Sequence, residues 1–393
     1  MRKVSKILFR IILTIVVILL LTVGGLYITG HGYILPAVRF TYLKGYTTAH
    51  IDDHSYFTNH IIKAGTPQFW PLHENFNQVQ LTDTLRKELA DYRSIGFAIF
   101  QDGKLLYEEY WDGYSDQSLT NSFSMAKTVT TMLVGKAIEQ GYIQSLDQLI
   151  TDFLPEFQDD PFGRLCTVGH LSAMRSGFDW SEEYYSPFNP TTEAYYGKDI
   201  EQMLLKRKFS SRPGGLFKYL SANTQLLAII LKRATGKNLA DYLSEEFWQP
   251  MGMEHDALWT VSVGLEKSFC CLHTNVHDYA KLGQLLLQQG NWNGRQLLDS
   301  TFVERMITAD EDAFEPSKPR RYGYSVWLDK VHQPAFYAFL GHLGQRIIVV
   351  PDHQLVIVRL GKTDDKRPLG KGHLDTDVYY YVDEVVNQLL ITN

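Results

Sequence analysis

Hydrophobic and polar positions are distributed very unevenly along the chain. Residues 11–28 form an apolar run without a charge, preceded by Arg2, Lys3, Lys6 and Arg10. The run approaches the roughly 20 residues a helix needs to cross a bilayer, so it predicts a membrane-spanning helix. Residues 31–75 carry Pro36, Pro67 and Pro71 and no sustained period, which predicts an irregular connector that lies on the main domain. Two β-prone runs, 94–100 and 104–110, flank Asp102-Gly103 and predict a hairpin. After Ser124, the residues Met125, Val129, Met132, Leu133 and Ile138 recur at helical spacing, and Gly141 suits a C-terminal cap. A helix starting at Ser124 is therefore predicted. Residues 142–315 read as mostly helical and loop-rich, with helical segments at 200–206, 224–235, 239–248 and 276–289 and few strand signals. Strand patterns return at 324–328, 335–340, 345–350 and 355–360, before a final helix at 376–390.

Strands near both ends of the chain and helices between them predict an α+β fold. An antiparallel sheet flanked by helices, from about 76–140 and 316–393, would be interrupted by a mainly helical lobe at about 141–315, with a cleft where the two meet. Residues 1–30 would form a cytoplasmic tip and membrane anchor, 31–75 the connector, and 76–393 the main domain. The positive charges before the span would hold the N-terminus in the cytoplasm and place the domain outside. No small-residue cleavage pattern or lipidation cysteine follows the run, so an uncleaved anchor is preferred to a signal peptide. Either reading exports the domain.

Composition narrows the classes further. With 393 residues, 45% of them hydrophobic, the chain can bury a large core. A net charge of -6 comes from mixed acids and bases without a basic stripe, which disfavours nucleic acid as a partner. Cys166, Cys270 and Cys271 are too few for a zinc site or a disulfide framework and read as packing residues, with a bridge from Cys166 to one of the pair left open.

The candidate chemistry lies in Ser124-Met125-Ala126-Lys127, which sets a hydroxyl and an amine one helical turn apart. A serine needs a base and oxyanion donors to act as a nucleophile, and a desolvated lysine at a helix start can supply the base. Alone, the pattern is weak: it recurs by chance in a chain this size and reads first as an N-cap serine with a solvated lysine. Two further elements accompany it in order: Tyr219-Leu220-Ser221 within 213–227, and His342-Leu343-Gly344 followed by Gln345. With the segments 167–177, 248–253 and 290–294, they make the chain from about residue 76 onward resemble the class C β-lactamase and penicillin-binding-protein-like serine hydrolases.

That resemblance implies Ser124 as acylated nucleophile, Lys127 as the group that lowers its proton affinity, and Tyr219 as partner base, its phenol depressed by Lys127. It implies an oxyanion hole from the N–H groups of Ser124 and Gln345. Ser221 would orient Lys127 or contact substrate, while His342 and Gly344 would lie along the substrate. β-Lactamases carry lysine where this chain has His342, and an imidazole is mostly neutral at pH 7, which argues against efficient penicillin hydrolysis. The 177–185 run is similar to the branch of linear-amide hydrolases that includes 6-aminohexanoate-dimer hydrolase, and makes Tyr184 a candidate substrate contact.

The expected activity is hydrolysis of small esters, amides or peptides through an acyl-enzyme. The alternatives are a D-amino-acid peptidase of cell-wall peptides and a non-catalytic acyl-binding sensor. A histidine triad using His170, His273 or His277 would need a Gly-x-Ser-x-Gly elbow that the sequence lacks. No cofactor or metal is expected. The expected location is a bacterial inner membrane with the domain in the periplasm, or secretion if the leader is cleaved; oligomeric state is not readable.

Overall fold

The computed structural model describes residues 2–313, 321–363, 367 and 374–389. Its main sheet has six antiparallel strands in the order Trp327–Asp329, Phe336–Gly341, Gln345–Val350, Leu355–Gly361, Ser94–Gln101 and Lys104–Tyr110. The two ends of the sequence thus meet as Leu355–Gly361 pairs with Ser94–Gln101. Successive side chains on a strand point to opposite faces, and here both faces are covered. Ala98, Phe100, Ile347 and Val349 join the core toward the helices, including Val276–Leu287. Phe97, Ile99, Ile348 and Val350 pack instead with Leu85 and Leu89 of Asp83–Asp91 and with Val378, Tyr381 and Val382 of Thr376–Glu384. Burial on both sides explains why these strands read as continuous apolar runs. At the hairpin tip Asp102 and Gly103 both take positive φ, 50° and 72°, as a two-residue turn of this kind requires.

The middle of the chain holds the predicted helices Ile200–Leu205, Ser221–Thr235 and Leu239–Leu243, and also a second sheet that its pattern did not announce. Asn59–Ile62, Ala257–Ser262, Leu272–Thr274 and Thr120–Asn121 are neighbours in that order. Its strands run from two to six residues, too short for alternation to register as a period.

The stretch expected to lie on the main domain without regular structure carries a helix and a strand of its own. Helix Ile34–Phe40 packs on helix Pro190–Tyr196, Asn59–Ile62 pairs with Ala257–Ser262, and the Asn121 N–H donates to Ile51 O at 2.9 Å. Buried Asp53 accepts from Tyr195 Oη at 2.6 Å and Asn121 Nδ2 at 3.3 Å, fixing this stretch to the strand just before Ser124. Ahead of it, helix Arg2–Ile28 contains Val4–Ile28, a stretch long and apolar enough to cross a membrane and exposed along most of its length; a signal sequence meets the same description.

The cysteine expectation needs correction. Cys270 and Cys271 are disulfide-bonded to each other, and Cys166 is buried and unbridged. Adjacent sulfurs meet here with Cys271 in the left-handed region, φ 67°, a local geometry that spacing arguments between distant cysteines do not consider.

Candidate active site

The turn Phe123–Met125 precedes the helix Ala126–Glu139, so the regular helix starts two residues later than predicted and Ser124 sits in its lead-in. Phe123 holds φ 44°, a left-handed conformation costly for a phenylalanine. It is held by Asn121, whose Oδ1 accepts from Phe123 N at 2.8 Å and Cys271 N at 3.1 Å. The helix that follows is buried on all sides from Ala126 to Ala137 and packs against Ser221–Thr235, which brings the Tyr219-Leu220-Ser221 element to Ser124.

Lys127 is 1% exposed. Its Nζ donates to Ser124 Oγ at 2.9 Å and to the Phe269 carbonyl at 2.8 Å, and lies 5.0 Å from the Tyr219 ring centre. Burial disfavours the ammonium and lowers its pKa from 10.5 to about 8, opposed by the negative charge of Glu182. Half-buried Tyr219 shares a hydrogen bond with Ser124. Its phenol is not depressed, as was expected from the neighbouring lysine. Desolvation raises its pKa well above 10, helped by Tyr322 and outweighing the Ser124 hydrogen bond. At neutral pH Tyr219 is therefore a proton donor, and Lys127 is the group whose pKa suits a base.

Ser221 does not orient Lys127; the lysine's second partner is Phe269 O. The Ser221 hydroxyl and N–H both donate to Glu182, at 2.6 and 2.7 Å, and Trp180 Nε1 adds a third bond at 3.0 Å. Glu182 thereby ties the 180–188 loop to the start of the helix Ser221–Thr235. The next residues of that loop, Tyr184 and Tyr185, place their rings 5.2 and 5.9 Å from that of His342, whose other side meets Phe123 at 5.4 Å.

The third element is shaped from beneath. Arg359, fully buried, donates to the carbonyls of Leu343 and Gly344, and Gln345 Nε2 donates to those of His342, Leu343 and Gly361. A Cβ on Gly344, which has φ 78°, would fall 1.9 Å from Arg359 Nη1. Glycine is therefore needed there for the turn, and Gly344 is not among the residues that line the cavity at Ser124. Gly341, where a Cβ would fall 2.3 Å from Ser122 O, lets the strand edge reach the Ser124 turn.

That cavity is lined by Ser124, Tyr184, Ser221 and His342 among the predicted residues. Phe269, Cys270 and helix Ile34–Phe40 also line it and were not foreseen; a carbonyl acceptor leaves no side-chain signature. Among the described residues, no Asp, Glu, Lys or Arg lines it. The candidate triad histidines lie elsewhere: His170 accepts from Thr167 N in a helix cap, and His277 is paired with Glu108 and Glu254. Buried His273 contacts Thr260 at 3.2 Å. Among the described residues no cluster of His, Cys, Asp or Glu could hold a metal ion.

The site thus sets a serine beside a buried lysine three residues on, with a tyrosine from the loop just ahead of a second helix and a strand edge alongside. The chain matches the family described as beta-lactamase over residues 81–378 and belongs to it; members of this family are hydrolases. It is 23% identical over 299 residues to 6-aminohexanoate-dimer hydrolase of Paenarthrobacter ureafaciens, covering 72% of this chain and 76% of that one. A D-aminopeptidase of Brucella anthropi is 25% identical over 170 residues, covering 40% of this chain and 31% of that one. Among solved structures, a Bacillus anthracis protein provisionally named as a 6-aminohexanoate-dimer hydrolase superposes with TM-score 0.70 at 22% identity, over 87% of this chain and 92% of that one. The fold is thus of the β-lactamase/transpeptidase type.

Proposed function

We propose that the protein is a membrane-tethered serine hydrolase that forms an acyl-enzyme on Ser124 and takes esters or amides with an uncharged acyl group. The observation that carries this is the buried Lys127 ammonium site 2.9 Å from Ser124 Oγ, with its pKa lowered to about 8. Neutral Lys127 takes the Ser124 proton as Oγ attacks the carbonyl carbon. The N–H groups of Ser124 and Gln345 receive the oxyanion, and Tyr219 passes a proton to the leaving oxygen or nitrogen and regains one from the Lys127 ammonium, which returns both groups to their starting state. Water then attacks the acyl carbon, returning the proton to Ser124.

Glu182 tunes this pair. Its negative charge raises the Lys127 pKa, so Glu182→Gln lowers that pKa and moves the acid limb of the kcat/KM profile to lower pH. A reduced rate with an unmoved midpoint would mean that Glu182 only props the loop.

The absence of Asp, Glu, Lys and Arg from the cavity lining supports uncharged acyl groups over peptides that present a terminal carboxylate or ammonium. Three substrates decide the class: a p-nitrophenyl ester, a peptide ending in D-alanyl-D-alanine, and a penicillin. The ester is expected to lead in kcat/KM by about a hundredfold. A lead for the peptide would establish the peptidase reading instead.

A further inference from the structure

The cavity at Ser124 and the membrane-spanning stretch share one segment of chain. Helix Arg2–Ile28 ends five residues before helix Ile34–Phe40, whose Ala37 and Val38, with Thr41 just beyond it, line the cavity. Five residues reach roughly 17 Å at most, against a polar layer of roughly 5–8 Å on each side of the hydrocarbon. The connection and the segment after helix Ile34–Phe40 both dock on the cavity's own loop: the His31 ring lies 5.7 Å from that of Phe188, and Thr48 Oγ1 donates to Tyr184 O at 3.3 Å. The cavity mouth is therefore held close to the surface that the span would emerge from.

The rim has the character of such a surface. Tyr42, Leu43, Tyr185 and Phe188 are 54%, 74%, 56% and 66% exposed, and exposed Arg39 and Lys44 stand among them in sequence. Aromatic rings beside basic side chains, on the chain just past a span, are the composition found at membrane–water interfaces. Inside, Ala37, Val38, Ala49, Phe123 and Phe269 give apolar wall between threonine, serine and tyrosine residues, and no Asp, Glu, Lys or Arg is among the described lining residues. An apolar chain entering there would keep its carbonyl at Ser124 and lose contact with water along its length.

We propose that the substrate is a membrane lipid ester, drawn from the bilayer that holds the span, with its acyl chain running along Ala37 and Val38. This rests on the acyl-enzyme reading above and on the span crossing a bilayer. Ser124 Oγ bonds to the acyl carbon as the ester C–O bond breaks. The proton from Ser124 leaves on the released alcohol, and water then frees the fatty acid and restores the serine.

The test uses the full chain in phosphatidylethanolamine–phosphatidylglycerol vesicles. A fluorogenic palmitate ester is placed either in the same vesicles or in separate protein-free ones, and the butyrate ester of the same fluorophore is supplied in solution. Palmitate in the same vesicles is expected to be cleaved about tenfold faster than palmitate in separate ones. Val38→Trp, which fills the wall, should lower the palmitate-to-butyrate ratio about tenfold, and Val38→Ala should hold or raise it. Equal rates for the two vesicle arrangements overturn the proposal, as does a ratio that Val38→Trp leaves unmoved. Loss of butyrate cleavage in the wild type sinks the acyl-enzyme reading itself, which separates the two failures. If Val38→Trp does not fold, the comparison of vesicles decides on the wild type alone.

Discussion

Ser124→Ala is expected to lower ester hydrolysis by roughly 10^5–10^6-fold, the scale seen when the nucleophile of a concerted group is removed, while leaving the fold intact. The hydroxyl is half-buried at the cavity wall, and its interactions are those with Lys127 and Tyr219. The strained Phe123 turn is held by Asn121 rather than by Ser124, so the backbone should keep its shape. A fluorophosphonate should add one phosphonyl group to the wild type and none to Ser124→Ala, read by intact-protein mass spectrometry. Labelling of both proteins alike would remove Ser124 from the mechanism.

Lys127→Met has the second largest expected effect, a loss of about a thousandfold or more in kcat/KM, as for removal of a positioned base. In the wild type, kcat/KM should rise with pH through about 8, because the base must be neutral to accept the Ser124 proton. The variant should lose that limb. Stability gives a second reading of the same residue. Folded Lys127 releases its proton near pH 8, whereas the unfolded chain keeps it to 10.5. Between those values the unfolded state binds the extra proton, so folding stability rises with pH across the window; below about 8 both states are protonated and the penalty is fully present. Denaturant midpoints of wild type and Lys127→Met should therefore shift in favour of the wild type from about pH 7.5 to about pH 10. Parallel curves would show that Lys127 is not held as a buried, reluctant cation.

Much of this site was legible because its chemistry is carried by side chains at fixed spacing. Ser124 and Lys127 are one turn apart in any helix, and Asp102-Gly103 between two β-prone runs permits little but a hairpin. The main sheet was legible for a related reason: strands buried on both faces write their positions as unbroken apolar runs, as in 345–350 and 355–360. What escaped depends on contacts between distant parts of the chain. Tyr219 was expected to lose its proton easily because Lys127 is near, yet its protonation is set by how many apolar groups surround the phenol. Ser221 was expected to orient Lys127 or contact substrate; it lines the cavity, but Glu182, from a loop thirty-nine residues earlier, claims its hydroxyl. Short strands such as Leu272–Thr274 carry no period of their own and exist only through their neighbours.

The strand Asn59–Ile62 bears on how such a protein can change over evolutionary time. It pairs with Ala257–Ser262 through the register Asn59↔Thr260 to Ile62↔Ala257, and it lies before residue 81, where the family match begins. A chain begun at that point would leave the backbone of Ala257–Thr260 open along one side, a template for pairing with another molecule, and would lose the helix Ile34–Phe40 from its cavity wall. Residues 34–62 and the part of the chain that the family match covers therefore cannot be exchanged as separate modules: a lineage that replaces one must remake the sheet edge and the cavity wall at the same time.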